Sequence, residues 1–229
     1  MKATHFRRIR SFVRRPGRTT SAQLRALATL MPIYGIPFEE RTLDFLKIFG
    51  RDAPRILDIG FGNGEGLFNL AVNHPKMDYL GVEVHEPGIG HLLLLLERSG
   101  ITNLKIINRD VVDVLTHMLP KASLDAVNLF FPDPWPKKRH HKRRLVQSST
   151  VESIAGVLKP GRLFHIATDW TDYAEHIELL LSKTDIFIPQ SLDSISIQAL
   201  AQRPPTKFER RGRLLGYEPK DFYYRKNLE

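Results

Sequence analysis

Between Phe131 and Arg144 the chain reads FPDPWPKKRHHKRR. The first half sets one carboxylate, Asp133, and one indole, Trp135, among three prolines. Proline fixes φ and removes a donor, and the residue before each proline is pushed toward extended geometry. Asp133 is therefore expected on a rigid loop. The second half, Lys137 to Arg144, holds six Lys/Arg and no acid. A fixed carboxylate followed at once by cations suits chemistry performed on an anionic polymer. His140 and His141 lie in this run without a nearby carboxylate or Cys, so no metal site is expected there. The chain has no cysteine, which removes thiolate ligands, a Cys nucleophile and disulfides together.

Three further acids fall at or near the ends of apolar runs. Asp58 lies in RILDIG, just before Gly60, Gly62 and Gly64; Glu83 closes YLGVE; Asp110 follows LKIINR. Closely spaced glycines permit positive φ and close approach of backbone to a ligand. The competing reading of Asp58 and Asp110 is plain helix capping.

The elements that would carry these residues alternate between strand and helix. Strands are expected at residues 55–60, 77–84, 104–108, 124–130 and 163–167. Helices are expected at 21–30, 38–49, 64–72, 87–98, 111–118, 145–158 and 173–182, with chain breaks at Pro32 and Pro37 and at Pro160-Gly161. Residues 124–130 are apolar at almost every position, as in a strand covered on both faces. This rhythm is that of an α/β fold, a parallel sheet with helices on both faces. Residues 222–224 read as one more strand. Residues 1–37 form a basic N-terminal arm and 38–229 a single domain.

The net charge is +9 over 229 residues. The first twenty residues carry seven Lys/Arg and no acid, so with Lys137 to Arg144 two blocks hold more than the whole excess, and the remainder is slightly acidic. Two basic blocks with aromatics nearby point to phosphate-backbone contacts and a nucleic-acid partner. No apolar run reaches the roughly 18–20 residues a bilayer span needs. No membrane partner is therefore expected, and a cytoplasmic protein is. An Arg- and Ser-rich, acid-free start that resembles a transit peptide is the weaker reading.

The glycines at 60, 62 and 64 miss the G-x-G-x-x-G spacing, since residue 65 is Glu. They resemble the D/E-x-G-x-G-x-G turn of S-adenosylmethionine-dependent methyltransferases. In that setting Glu83 can accept from both ribose hydroxyls, Asp110 can reach an adenine amino group, and Asp58 can face the cationic end of the cofactor. The resemblance then narrows. RRIRSFVRR (7–15), DIGFGNG (58–64), GVEVH (81–85), NRD (108–110), FFPDPWPKKRH (130–140), ATD (167–169) and TKFE (206–209) together resemble the bacterial tRNA (guanine-N7)-methyltransferase family. The PDPWPKKRH and TKFE blocks are the specific ones.

That resemblance implies a Rossmann-like class I methyltransferase with a mostly parallel seven-stranded sheet. It implies S-adenosylmethionine as cofactor and tRNA as partner, with methyl transfer to N7 of guanosine 46 in the variable loop. It places Asp58, Glu83, Asp110 and Asp133, with the glycine turn, at the cofactor, and makes Asp133 the catalytic residue. Lys137, Asp169, Thr206, Lys207, Phe208 and Glu209 fall in the substrate site. Arg139, His140, His141, Lys142, Arg143 and Arg144 meet RNA. The first acid of the glycine motif is Asp58 here, where Glu is common in relatives. Asp169 also reads as a helix N-cap, and Thr206 with Glu209 as a capping box. Trp135 reads equally as a base-stacking ring or as packing. Monomer and homodimer are both compatible with the sequence. The alternatives are a non-catalytic RNA-binding module of the same shape and, disfavoured by the glycine spacing, a nicotinamide-dependent oxidoreductase.

Overall fold

The computed structural model describes residues 11, 12, 18–192, 203–205, 209, 212, 214 and 216–228. Seven strands form one sheet: β1 (Arg55–Ile59), β2 (Asp78–Glu83), β3 (Leu104–Asn108), β4 (Leu124–Phe130), β5 (Leu158–Thr168), β6 (Phe187–Gln190) and β7 (Lys220–Lys226). Their order is β3-β2-β1-β4-β5-β7-β6. The first five run parallel, and β7 is antiparallel to both β5 and β6. The sheet is thus mixed rather than wholly parallel. The short edge strand β6 is not among the expected strands, its apolar run Ile186 to Ile188 being only three residues long before Pro189. Strand order reverses between β1 and β4, so a crevice opens beyond their carboxyl ends, where such sheets bind ligands.

Among the described residues the continuous α-helices are α1 (Ser21–Tyr34), α2 (Phe45–Phe49), α3 (Glu65–Asn73), α4 (Glu86–Ser99), α5 (Val111–His117), α6 (Ser148–Val157) and α7 (Thr171–Leu181). They cover both faces. Leu57, Val127 and Phe164 belong to one apolar cluster with α5, α6 and α7, and their neighbours Ile56, Ala126 and Leu163 to a second with α1, α3 and α4. This is the period-two alternation of strands buried on both sides.

Several boundaries differ from expectation. α1 continues through Pro32 to Tyr34. The proline stands in the last turn, where the Gly35 N–H still closes on the Met31 carbonyl at 2.8 Å, and tertiary packing holds the helix. Gly90 makes room for that packing, since a Cβ there would stand 2.8 Å from Gln23 Cβ. Arg25 adds a two-pronged pair with Glu97 at 2.8 and 2.7 Å. Gly35 bridges Ile106, and the Ile36 N–H donates to the Ile106 carbonyl at 2.8 Å. α1 and residues 35 and 36 are therefore packed against α4 and β3.

The helix expected over 38–49 shrinks to α2, capped by Asp44 and ended by Gly50 at φ 70°. Its upstream apolar residues pack as a strap instead. Leu43 N–H donates to the Met118 carbonyl at 2.7 Å, and Phe38 lies edge-on to His117 and under Arg109. The break expected at Pro160-Gly161 lies inside β5, which starts at Leu158. The helix expected from residue 145 begins only at Ser148, after an extended Gln147, and 138–143 form a separate 3-10 helix.

Candidate active site

The glycine turn is built on left-handed backbone. Gly60, Gly62 and Gly64 have φ of 71°, 60° and 78°. At Gly64 the fit is tight as well: a Cβ would stand 2.6 Å from Leu92 Cβ, so only glycine lets the start of α3 lie on α4. At Gly60 and Gly62 the same construction meets no atom within 4 Å, so their backbone faces open space. Glu83 holds this turn from the next strand. Its Oε2 accepts from the Gly62 N–H at 2.9 Å, and its Oε1 accepts from the N–H groups of Val84 and His85 at 2.6 and 3.0 Å. A carboxylate offers about four acceptor directions. Glu83 thus shapes the turn and keeps capacity for a ligand hydroxyl.

Four expected residues line one cleft: Gly60, Glu83, Asp110 and Asp133. Its apolar walls are Ile59, Val82, Val84, Val111 and Leu129. Asp110 also caps α5, accepting from the Val112 N–H at 3.1 Å, so the capping reading is realised and the residue still faces the cleft. Gly62, Gly64 and Asp58 do not line it. Asp58 is 4 % exposed and stands in register between Gly81 and Asn128. Burial raises its carboxyl to about 7; a hydrogen bond with Asn128 opposes this and the charge of Glu83 adds to it. The register continues from Asn128 to His165 and on to Tyr223, so a polar row crosses the sheet on one face. Nothing in the sequence had singled out Asn128 or His165.

Asp133 hangs from the end of β4 on a loop whose geometry departs from expectation. Phe131 and Trp135, each before a proline, adopt φ of 51° and 47° rather than extended backbone. Positive φ in bulky residues is a genuine outlier, costs roughly 1–3 kcal/mol each and persists only where the surroundings over-determine it. Those surroundings are visible. The Phe131 N–H donates to the Ala167 carbonyl at 2.7 Å. The Trp135 Nε1–H donates to the Ser11 carbonyl at 3.0 Å, the Arg143 guanidinium covers its ring at 4.8 Å, and His140 meets it edge-on at 5.7 Å. Trp135 is thus engaged by the chain itself. Ser11 and Phe12, expected only as part of an RNA-binding arm, are cleft walls.

The basic run forms the 3-10 helix Lys138–Arg143. Lys137, Lys138, Arg139 and Lys142 are exposed, and His140, His141 and Arg143 half-buried. Arg144 departs from the expected RNA-facing set. It is 2 % exposed, donates to the Pro134 carbonyl at 2.9 Å, pairs with Asp172 and His141, and lies over the Tyr173 ring. Its guanidinium fastens the Asp133 loop to α7. Asp169 does not cap α7; that position is Trp170, whose N–H is met by Thr168 Oγ1 at 3.3 Å. Asp169 sits instead against Gly212, its Oδ2 3.3 Å from where a Cβ there would be. Thr206, Lys207 and Phe208, and with them the expected capping box, lie outside the described residues. Glu209 is buried and paired with Arg203. Among the described residues no cluster of His, Cys, Asp and Glu could hold a metal ion, and no helix is long and apolar enough to cross a membrane.

The family profile described as "Putative methyltransferase" matches residues 52–221. A tRNA (guanine-N(7)-)-methyltransferase of Alkalilimnicola ehrlichii is 51 % identical over 227 residues, covering 98 % of this chain and 95 % of that protein. The chain belongs to the tRNA (guanine-N7)-methyltransferase family. It is accordingly an S-adenosylmethionine-dependent enzyme of the class I methyltransferase fold. The fold is shared with the 16S rRNA methyltransferase KamB, at a TM-score of 0.55 and 12 % identity over 80 % of this chain and 92 % of that one. It is also shared with a 16S rRNA (adenine(1408)-N(1))-methyltransferase from Catenulisporales acidiphilia, determined with its cosubstrate SAM, at 0.54 and 18 % over 81 % and 92 %. The residues present fit that cofactor. The open backbone of Gly60 and Gly62, the anchored Glu83 carboxylate, Asp110 and the apolar walls offer a close backbone approach, hydrogen-bond acceptors and an apolar lining.

Proposed function

We propose that this protein methylates N7 of guanosine 46 in the variable loop of tRNA, with Asp133 as the residue that orients the guanine. The observation that carries this is the delivery of Asp133, by β4, to the same cleft that Glu83 and Asp110 wall, with exposed Lys137, Lys138 and Arg139 following directly. S-adenosylmethionine supplies a methyl group activated on a sulfonium. Guanine N7 is an acceptor with a free lone pair and no proton, so in-line attack needs no general base. The work left to the protein is positioning and electrostatics. Methylation puts positive charge on the purine. An exposed carboxylate at the cleft rim can hold the N1–H and N2–H edge and stabilise that charge. Asp133 is then an orienting anion.

Glu83 and Asp110 serve the cofactor through ribose and adenine. Asp58 lies in β1 just before the turn, hydrogen-bonded with Asn128. Lys137, Asp169 and the Thr206, Lys207, Phe208 and Glu209 set belong to the guanosine side. Exposing a guanosine held in tRNA tertiary structure costs roughly a few kcal/mol, which distributed phosphate contacts from exposed cations can supply. Incubation with labelled S-adenosylmethionine and unmodified tRNA, then nuclease digestion, should yield 7-methylguanosine mapped to position 46. Label at another nucleotide, or none, refutes the reading. A non-catalytic RNA module is not favoured, because it has no use for an anchored Glu83 and a strained Asp133 loop.

A further inference from the structure

Arg203 does not line the cleft, yet each of its three guanidinium nitrogens has a carboxylate partner. Nε and one terminal nitrogen form a fork on Asp221, at 2.7 Å to Oδ1 and 2.9 Å to Oδ2. The other terminal nitrogen pairs with Glu209. The plane stands 5.1 Å from the Phe131 ring centre and 5.9 Å from that of Phe130. Its side chain is 8 % exposed and that of Glu209 3 %. Asp221 has a second donor: His165 Nε2 lies 2.8 Å from its Oδ1. His165 is fully buried between the rings of Phe130 and Tyr223. Burial works against the Asp221 charge, and the hydrogen bonds from His165 and Arg203 outweigh it, holding the carboxyl well below the usual carboxylate range. Burial lowers the proton affinity of the His165 imidazole, against the pull of Asp221.

A buried ionic network of this kind is weak evidence for stability, since apolar groups of similar volume often serve as well. What it specifies is geometry, because a bidentate guanidinium–carboxylate fork fixes angle as well as distance. The two things it locates are Glu209, on the guanosine side of the site, and Phe131, the left-handed residue from which the Asp133 loop starts. We propose that Arg203, braced by Asp221 and His165, is a positioning residue for methyl transfer that sets the guanosine side of the site against the Asp133 loop. This rests on the functional reading above and adds a residue to it. Arg203 acts through Glu209 and Phe131 and is not itself catalytic.

The test is Arg203→Lys, which keeps the charge and cannot form the fork, alongside Asp221→Asn, Glu209→Gln and the Arg203→Lys/Glu209→Gln pair. Misplacement on the ångström scale costs on the order of 10²-fold in rate, so single-turnover methylation by Arg203→Lys should fall by about that factor. Affinity for S-adenosylhomocysteine and the KM for tRNA should stay within about threefold. Asp221→Asn should show the same signature more weakly. The paired variant should lose less than the product of the two single effects, since the two residues share the Arg203–Glu209 contact. Wild-type turnover in Arg203→Lys overturns the proposal. So does a parallel loss of S-adenosylhomocysteine affinity and turnover in both Arg203→Lys and Asp221→Asn, which would make the network a scaffold only. Strict multiplication of the two single effects overturns it as well. All rates are ratios to wild type at whichever nucleotide is methylated, so failure of the guanosine 46 reading is seen separately in the wild-type product.

Discussion

Asp58 is a carboxyl inside a strand, raised to about 7 chiefly by burial, and this makes a pH-dependent prediction. In the unfolded chain an aspartate titrates near 3.9. Between about pH 4 and 7 the folded protein therefore holds a proton that the unfolded chain has lost. The linkage slope is negative there, so stability falls as pH rises through the window and stays low above it. A shift of roughly three pH units corresponds to about 4 kcal/mol, at 1.36 kcal/mol per unit. Asp58 is 4 % exposed, so solvent does little to screen this. Asp58→Asn imitates the protonated acid in shape and removes its titration.

Without cofactor, the variant should melt close to wild type near pH 4.5 and well above it at pH 8.5. At roughly 2–4 °C per kcal/mol for a chain of this size, the gain at pH 8.5 is about 8–16 °C. Differential scanning calorimetry of both proteins from pH 4.5 to 8.5 isolates the effect, because every other titrating group is common to the two. A melting-temperature difference that does not change with pH refutes the reasoning. It would mean that the Asn128 hydrogen bond offsets burial and keeps Asp58 ionised throughout.

Asp133→Asn should cut single-turnover methylation on the order of 10²-fold while S-adenosylhomocysteine titrations stay near wild type; wild-type turnover would remove Asp133 from its role. Gly88→Ala would place a Cβ 2.0 Å from the Gly62 carbonyl oxygen, so the cofactor turn must move. Calorimetric affinity for S-adenosylhomocysteine should collapse, with stability down about 1–3 kcal/mol as for other overpacked sites. Gly156→Ala, with nothing within 4 Å of its Cβ, is the control and should be neutral or stabilising by roughly 0.5–1 kcal/mol. Arg144→Ala should cost about 2–3 kcal/mol in thermal or urea unfolding, the scale of a charged hydrogen-bond set. Lys138→Ala with Arg139→Ala should leave unfolding within about 0.5 kcal/mol, yet weaken tRNA binding and lower its salt slope by roughly one per lost phosphate contact.

What could be read from the sequence was what depends on local pattern. The five parallel strands and the turn at Gly60, Gly62 and Gly64 follow from apolar runs that end in glycines and acids. Asp110 and Glu83 at strand ends follow from the same pattern. Asp133 stood out because prolines and cations bracket it. The misses share a cause, which is contact between residues far apart in the chain. The stretch from Phe38 to Leu43 reads as the start of a helix, but both residues pack at the end of α5. Pro32 looks like a stop, yet α4 holds the helix through it. Arg144 is one more cation in a basic run until its distance to Pro134 and its pairing with Asp172 are known. His165, Asp221 and Arg203 sit in three separate stretches with no motif among them. A buried histidine in a strand and an aspartate at the start of another are unremarkable until β5 and β7 are placed side by side.

The residues of the site thus divide by what holds them. Glu83 and Asp110 need only their own strand ends, because each is fixed by backbone N–H groups one to a few positions away or, for Gly62, across one strand. Asp133 is different. Its loop begins and ends in left-handed residues that are costly by themselves, and each is held from elsewhere: Phe131 by Ala167 and Arg203, Trp135 by Ser11 and Arg143. Arg144 ties the same loop to α7 through Asp172. A carboxylate that must only accept hydrogen bonds from a purine edge needs accuracy of placement more than an altered proton affinity. The structure supplies that accuracy with guanidinium groups drawn from the basic run and from the C-terminal third of the chain. Part of the positive charge that reads as an RNA grip is therefore spent inside the protein, holding the loop that carries Asp133, the acid proposed to orient the guanine.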